Sequence, residues 1–417
     1  MRGAGIPEPE QDDRVDIQRL GVDDGHVIKE WRSDGVGILE TDRVKKTTKL
    51  VRWERALYGG HNQVGLQEWG RMGVKRVQLD GWLSQVPAEI SGLGQIPQSG
   101  ARAVISPHAG YAYSGPCAAW AYKSLDLSEA KRIFILHPSH HHSLSTIALP
   151  TLDAYETPLS PEPLRLDKET IADLASLSTS IPQSSRILKF TTMSASVDEA
   201  EHSMEMQLPY IHRLLQKLYQ NPSEYPPLVP MMVGSTSVAV EAAFGKLLAP
   251  YIADQENAFV LSSDFCHWGA RFSYTYYVPD SPSPATDPFI LPPRPSQAEN
   301  LLHLDPSIVH GRDLSSRDKT PSKPTIYESI AHVDRGCMCA IATGEHAAFA
   351  KILQETGNTI CGRHPIGVFM AGVEEVRRAS GKGEDYGQFK FVRYERSSDA
   401  VHARDSSVSY VSGFAVL

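Results

Sequence analysis

The chain has 417 residues, of which 41% are hydrophobic and 22% are charged. This balance is typical of globular proteins with one large core or two modest ones, and it excludes a mostly disordered chain. The net charge of -8 and the pI near 6.1 argue against partners such as nucleic acid or anionic lipid, because both need a basic footprint on the protein.

Membrane insertion and export are not expected. No run reaches the roughly 18 to 20 uninterrupted apolar residues of a membrane-spanning helix, and the polar start MRGAGIPEPEQDD lacks the apolar core of a signal peptide. The five cysteines are too few and too scattered for a disulfide framework, and no pair has C-x-x-C spacing. We therefore expect free thiols and a location in the cytoplasm or the nucleus.

The N-terminal region differs in pattern from the rest of the chain. Residues 1–75 keep neither helical nor strand periodicity for long, which indicates an extension that is partly disordered. The run VQLDGWLSQV at 77–86 predicts a helix, so a single folded domain is expected over 76–417. Within it, residues 279–324 carry ten prolines in 46 positions, which predicts a surface insertion.

Short apolar runs alternate with helical patterns after residue 100. The predicted buried strands are residues 103–106 (AVIS), 133–136 (IFIL), 228–234 (LVPMMVG) and 259–262 (FVLS). The predicted helices are residues 117–125, 201–218 with a kink or restart at Pro209, 349–356 and 365–378. This alternation predicts an α/β fold with a mostly parallel central sheet flanked by helices.

Histidines follow three of the predicted strands. His108 comes after the first run, His140 after the second, and Asp264 and His267 after FVLS. Ligands of open α/β sheets bind beyond the carboxyl ends of the strands, so we expect these side chains to line one cleft. Any one strand-end histidine alone is more often an ordinary hydrogen-bonded loop residue. The coincidence of several such positions favours a site.

Cys361 is the strongest candidate among the cysteines. It lies just before the helix predicted from Pro365, where the positive end of the helix dipole, with Arg363 or a protonated His364, would favour thiolate over thiol. Imidazole binds iron, copper and zinc, and thiolate biases a site towards softer or borderline ions. His108, His140 and Cys361 therefore predict an open three-ligand metal site.

Several other histidines are left outside this ligand set. His202 and Glu205 resemble half of a helical metal site, but the apolar residues around them indicate an ordinary amphipathic helix. His141 and His142 lie beyond the strand end and are expected to face solvent or to support the ligands from behind. The chain has no G-x-G-x-x-G, P-loop, H-E-x-x-H or G-x-S-x-G motif, so the corresponding chemistries lose support.

Six separated motifs closely resemble those of the Memo family, which is named for mediating receptor-driven cell motility in animals. In order they are PHAGYAYSGPCAAWAYKSL, RIFILHPSHH, DEAEHSMEMQLPYI, FVLSSDFCHWGARFSYTYY, NTICGRHPIGV and DSSVSYVSGFAV. The resemblance covers about residues 77–417 outside the proline-rich segment. It implies a fold similar to class III extradiol non-haem iron dioxygenases, with the metal-contacting positions at His108, His140 and Cys361.

The resemblance also limits what can be transferred. The dioxygenases have a carboxylate as third ligand, so a cysteine in that place argues against ring-cleaving activity here. Family members usually open with a His-Ala-Gly-Ser-Trp-Tyr segment whose tryptophan lines the cleft, whereas residues 52–62 read RWERALYGGHN. Either the cleft has lost one aromatic wall or the N-terminal region comes from a wrongly joined gene model, and peptide binding is the prediction that this weakens.

Two functions follow as hypotheses. In the first, the protein is a metal-dependent redox protein for a small molecule or oxygen species, in which iron, as Fe(II), or copper is bound, His267 acts as acid and base, and Asp264 orients it. In the second, the same cleft is a non-enzymatic adaptor site for a peptide or phosphopeptide that links signalling to the cytoskeleton. The resemblance places Tyr113, Asp264 and His267 on the cleft wall, and Arg363 is a candidate phosphate contact.

Overall fold

A computed structural model of the protein describes residues 48–49, 69–181, 187–281 and 306–417. The predictions for most of residues 1–75, including the segment 52–62, and for the centre of the proline-rich insertion lie outside the described residues. No helix in these ranges is both long and apolar enough to cross a membrane.

Eighteen strands are present in the described ranges. They are β1 (Thr48–Lys49), β2 (Glu89–Ile90), β3 (Gly94–Gln95), β4 (Ala103–Ser106), β5 (Arg132–Pro138), β6 (Ile147–Leu149), β7 (Ala154–Thr157), β8 (Ser160–Arg165), β9 (Ser178–Ser180), β10 (Ile187–Lys189), β11 (Thr191–Thr192), β12 (Leu228–Val233), β13 (Asn257–Ser262), β14 (His267–Trp268), β15 (Tyr276–Tyr277), β16 (Arg312–Asp313), β17 (Phe389–Arg396) and β18 (Ser407–Ala415).

Ten α-helices lie between and after these strands in the same described ranges. They are α1 (Trp69–Gln85), α2 (Tyr111–Ser124), α3 (Lys168–Ser176), α4 (Ala195–Ala200), α5 (His202–Glu205), α6 (Leu208–Leu218), α7 (Val238–Ala253), α8 (Ile326–Thr343), α9 (His346–Thr356) and α10 (Arg363–Ser380). Short 3-10 helices occupy Pro222–Glu224, Ala270–Phe272 and Pro306–His310.

The main sheet has nine strands, in the order β11-β6-β12-β5-β13-β4-β18-β14, with β17 paired to β18. The four apolar runs predicted as strands are β12, β5, β13 and β4, which lie side by side and parallel at its centre. The predicted α/β fold with a mostly parallel central sheet is therefore confirmed. Antiparallel pairing occurs only towards the margins, where β6 pairs with β12 and β18 pairs with β4. The relation to the dioxygenase fold stays a prediction.

Both faces of the sheet are covered, as the uninterrupted apolar strands require. On one face Phe259 of β13 lies 5.4 Å from Phe369 of α10, measured between ring centroids. Ser262, on the opposite face of the same strand, accepts a hydrogen bond from Gln207 just before α6 at 2.9 Å. The carboxyl edge of the central strands is therefore enclosed by helices from both sides.

Some element boundaries differ from the predicted ones. Helix α1 begins at Trp69 rather than at Val77, and Val77 is 71% exposed although the pattern placed it on the buried face. Residues 195–218 form three short helices, and Pro209 lies in the first turn of α6, which confirms the predicted restart. Helix α10 begins at Arg363, two residues before Pro365.

The described end of the proline-rich segment packs onto the domain. Ile308 and Leu314 are buried. The hydroxyl of Tyr276 donates to the carbonyl of Ile308 at 2.7 Å, and β16 pairs with β15. This part of the predicted surface insertion therefore contributes to the core. The domain boundary at residue 76 and the surface position of the remaining insertion stay predictions.

Candidate metal centre

The predicted strand-end residues converge at one edge of the sheet. His108 lies two residues after β4, His140 two residues after β5, and Asp264 two residues after β13. Because these three strands are parallel, their carboxyl ends meet at the same edge. Cys361 reaches this edge from the opposite direction, two residues before α10 begins.

His108 is buried and is held in one tautomer. Its Nδ1 lies 2.7 Å from the hydroxyl oxygen of Ser262. That hydroxyl donates its own proton to the carbonyl of Ser203 at 2.6 Å, so His108 Nδ1 must be the donor in their contact. The other nitrogen, Nε2, is therefore unprotonated and lies 3.1 Å from the Cys361 Sγ. Burial lowers the pKa of His108 well below its usual value, which favours the neutral form that binds metals.

His140 is oriented by a buried carboxylate. Its Nδ1 donates to one oxygen of Glu201 at 2.8 Å, and its backbone N–H donates to the other oxygen at 2.7 Å. Burial alone would raise the pKa of Glu201, but the hydrogen bonds and the positive potential of His140 hold it well below its usual value. A carboxylate behind a ligating imidazole fixes the ring and increases its basicity. Sequence reasoning missed Glu201, although it lies in the motif DEAEHSMEMQLPYI.

The Cys361 thiol is not activated in the way that the sequence suggested. Burial and the negative charge of Asp264 raise the pKa of Cys361 well above its usual value. The Arg363 guanidinium donates to the carbonyl of Ile360 at 3.2 Å, and His364 Nδ1 lies 2.7 Å from a carboxylate oxygen of Glu241. The protein's own groups therefore do not supply the activation that the helix dipole suggested. A bound metal ion would itself deprotonate the thiol.

Asp264 and His267 both lie near His108. One oxygen of Asp264 accepts the backbone N–H of His108 at 2.8 Å, and burial raises the pKa of this carboxyl. His267 Nδ1 lies 2.9 Å from the carbonyl of Phe265 and 3.1 Å from that of Thr359, so this nitrogen is the donor. These two carbonyls, rather than Asp264 as the sequence suggested, orient His267 in the described contacts. Its Nε2 is left as the acceptor.

Two ligand groups in the described part of the chain could hold a metal ion, and they share His108. One consists of His108, Asp264 and Cys361, and the other of His108, His140 and His202; within each group all candidate donor atoms lie within 4.8 Å of one another. The predicted set of His108, His140 and Cys361 thus spans both groups.

His202, which was expected to be an ordinary helix residue, lies beside the two predicted histidine ligands. Its ring centroid lies 4.5 Å from that of His140 and 5.6 Å from that of His108. Burial and the neighbouring His140 lower the pKa of His202 to about 4, so it is neutral at physiological pH. His141 and His142 are exposed, as expected.

The spacing of the donor atoms fits a transition metal. Bonds of about 2.0 Å to nitrogen and about 2.3 Å to sulfur place the two atoms about 3.1 Å apart at an angle of about 90° and about 3.5 Å apart at the tetrahedral angle. His108 Nε2 and Cys361 Sγ lie 3.1 Å apart, which is close to this range and is also the length of a hydrogen bond from the thiol. Neutral imidazoles combined with a cysteine and a carboxylate form a donor set for iron, copper or zinc rather than for magnesium or calcium.

The residues predicted to contact a peptide differ in accessibility. Tyr113, in the first turn of α2, is 53% exposed. His267 and Arg363 are partly buried, whereas Asp264 is almost fully buried between the backbone N–H groups that it accepts. Three of the four side chains can therefore be reached from solvent. Asp264 instead accepts hydrogen bonds from the backbone of His108 and Ala109.

Comparison with known proteins identifies the family of this chain. The model of the Memo-like protein family matches residues 76–414. Protein MEMO1 of Homo sapiens is 39% identical over 336 residues, which covers 81% of this chain and 90% of the relative. The Danio rerio protein of the same name shows the same identity and coverage. A MEMO1 family protein of Schizosaccharomyces pombe is 35% identical over 321 residues, or 76% of this chain and 89% of the relative. The chain belongs to the Memo-like protein family.

Proposed function

We propose that the protein binds a redox-active transition metal, iron or copper, in the cleft formed by His108, His140 and Cys361. The observation that supports this most strongly is the 3.1 Å separation between His108 Nε2 and Cys361 Sγ. Both histidines are already anchored through Nδ1, by Ser262 and Glu201, which leaves each Nε2 free for a metal. The bound ion would supply one-electron redox chemistry towards a small molecule or oxygen species.

The chain's own groups provide positioning and proton transfer around that ion. His267 carries its proton on Nδ1, so its Nε2 can accept a proton from a molecule bound in the cleft. The two carbonyls that hold Nδ1 prevent the ring from turning away. Asp264 contributes negative charge beside His108, at 3.9 Å from Nε2, which favours a cation at this position.

Metal analysis tests the proposal. Wild-type protein, purified without air or chelator, is compared with His108→Ala, His140→Ala and Cys361→Ser by mass spectrometry of bound metal. The exposed His142→Ala is the matched control, since it removes an imidazole outside both ligand groups. We expect stoichiometric iron or copper in the wild type and the control, and loss from the other three. Absence of metal from the wild type would contradict the proposal.

A second candidate function is binding of a phosphotyrosine-type peptide at the same cleft, with a role in cell motility and cytoskeletal signalling in the cytoplasm. It is supported by the exposed Tyr113 and by a cationic and aromatic cleft wall, where the Arg271 guanidinium lies 4.4 Å from the centre of the Phe272 ring. His267 packs edge-on against the same ring at 5.2 Å.

Peptide titration separates this candidate from the first. A fluorescent phosphotyrosine peptide is titrated into wild type, Tyr113→Ala and Arg363→Gln, with the unphosphorylated peptide as control. The binding function predicts saturable, phosphate-dependent binding that both variants weaken. Equal signals with both peptides, or no binding, would contradict it whatever the metal content.

A further inference from the structure

We propose that His202 completes a second, all-nitrogen ligand set with His108 and His140, which binds a divalent ion of borderline hardness such as Co(II), Zn(II) or Cu(II) without Cys361. This inference rests on the proposed metal cleft and adds a ligand to it. The three candidate donor atoms lie within 4.8 Å of one another. Three metal–nitrogen bonds of about 2.1 Å place the nitrogens at most about 3.6 Å apart, so binding needs the rings to move together by up to about 1.2 Å.

Glu201 lies close to two of the three imidazoles. Its Oε1 lies 2.8 Å from Nδ1 of His140 and 3.5 Å from Nδ1 of His202. The two rings are 4.5 Å apart and tilted by 32°. Because both Nδ1 atoms face the same carboxylate oxygen, both Nε2 atoms point away from it. The carboxylate thus orients His140 through a hydrogen bond, as carboxylates do for histidine ligands in metal sites, and it lies within ion-pair distance of His202.

The third imidazole, that of His108, lies against the rings of His140 and His202. The ring of His108 stands nearly perpendicular to both others, at 78° to His140 and 86° to His202, with centroids 5.2 Å and 5.6 Å away. Its Nδ1 is hydrogen-bonded to Ser262, so Nε2 is the nitrogen that can bind a metal ion. The set is also accessible, since His140 is exposed and His202 is partly exposed, whereas His108 is buried. Two of the three imidazoles therefore face solvent, beside the buried His108.

The chemistry of the two groups differs although they share a residue. The group with Cys361 and Asp264 offers sulfur, nitrogen and oxygen, which suits soft ions such as Cu(I) when the thiol ionises. The group with His202 offers only neutral nitrogen, which suits divalent ions of borderline hardness. Because His108 belongs to both, an ion at one position competes with an ion at the other. His202 therefore makes the cleft selective by ion type.

Co(II) titration of the full chain, freed of metal beforehand, tests the inference. The variants are Cys361→Ser and Cys361→Ser combined with His202→Gln or with His202→Asn, and the control combines Cys361→Ser with the exposed His141→Gln. Affinity is measured by competition with a chelator. Absorption reports whether sulfur is bound to cobalt, and circular dichroism verifies folding.

We expect Cys361→Ser to bind one Co(II) without a sulfur-to-cobalt absorption band, and the control to bind equally. Both His202 substitutions should weaken this binding at least about tenfold, the lower limit for losing even a supporting residue of a metal site. Unchanged affinity in the folded His202 double variants, or no Co(II) binding by Cys361→Ser, would overturn the inference.

The outcome is separable from that of the proposed function. The proposed function would stand and this inference would fail if purified protein holds iron or copper that depends on Cys361 while Co(II) binding does not depend on His202. The proposed function would fail and this inference would stand if purified protein holds no metal while Cys361→Ser binds Co(II) in a way that depends on His202.

Discussion

Glu201 is the residue whose replacement should affect the cleft most specifically without removing a metal ligand. It accepts both the Nδ1 proton and the backbone N–H of His140, and it also accepts the backbone N–H of Ser203. We expect Glu201→Gln to lower the affinity for metal by about 10-fold to 100-fold, because His140 loses its charged anchor. The measurement is competitive titration with a chelator.

The matched control for this substitution is Glu199→Gln, which makes the same chemical change at an exposed position two residues away. Its affinity should equal that of the wild type. Equal affinities in both variants would show that His140 does not need the carboxylate.

His212 should make stability depend on pH away from the cleft. It is fully buried, with Nδ1 2.6 Å from the hydroxyl of Thr157, and burial lowers its pKa from 6.5 to about 4. The unfolded chain therefore binds a proton at a higher pH than the folded chain does. The contribution of neutral His212 to stability is complete above pH 6.5 and is lost as the pH falls towards 4.

Chemical unfolding at pH 7 and pH 5 measures this effect. Between these values His212 alone should lower the free energy of unfolding by about 2 kcal/mol. This difference should shrink by that amount in His212→Gln and persist in the exposed control His310→Gln. An identical pH dependence in all three proteins would contradict the prediction.

At the scale of elements, the cleft depends on how closely the start of α10 approaches the end of β13. A side chain at Gly362 would place its Cβ 2.3 Å from the Cβ of Ser263 and 2.5 Å from the carbonyl oxygen of Ser262. The backbone of Cys361 also donates to the carbonyl of Asp264 at 3.3 Å. Only glycine allows this approach, which brings Cys361 to the strand ends.

Gly362→Ala should therefore destabilise the protein by about 1–3 kcal/mol and weaken the contact between His108 and Cys361. Gly81→Ala is the control, because a Cβ there meets nothing within 4 Å and the position is helical. It should stabilise the protein by about 0.5–1 kcal/mol. Thermal unfolding and metal content measure both effects, and destabilisation of equal size in the two variants would contradict this account.

At the scale of the whole molecule, the C-terminal strand closes the sheet. All nine residues of β18 are buried, and Phe414 pairs with Lys390 of β17 on one side and Val104 of β4 on the other. The strand joins residues more than 300 positions apart in the chain. Its burial should therefore stabilise the entire sheet rather than only the end of the chain.

Phe414→Ala should lower the free energy of unfolding by about 3–5 kcal/mol, the usual cost of removing a buried aromatic ring. Val401→Ala, at a partly exposed loop position, should change it by less than about 0.5 kcal/mol. Chemical unfolding followed by circular dichroism measures both values. A small effect of Phe414→Ala would indicate that β18 is not part of the cooperative core.

Local patterns were sufficient for the centre of the fold. An uninterrupted apolar run can be buried on both faces only within a covered sheet, so AVIS, IFIL, LVPMMVG and FVLS indicated the four parallel central strands. The prediction that His108, His140 and Asp264 lie close together followed from these strands, since the carboxyl ends of parallel strands meet at one edge of the sheet. The antiparallel margins and the pairing of β18 beside β4 had no comparable local signal.

The sequence by itself therefore determined the α/β class, the central strands and the edge at which the candidate ligands gather, because each depends on periodicity within a few residues. Only the tertiary structure decided that Glu201 orients His140, that His202 lies beside His140, and that burial and Asp264 raise the pKa of Cys361. These properties depend on residues far apart in the chain: 61 positions separate His140 from Glu201, and 97 separate Asp264 from Cys361. Burial and electrostatic potential arise only when such segments pack together.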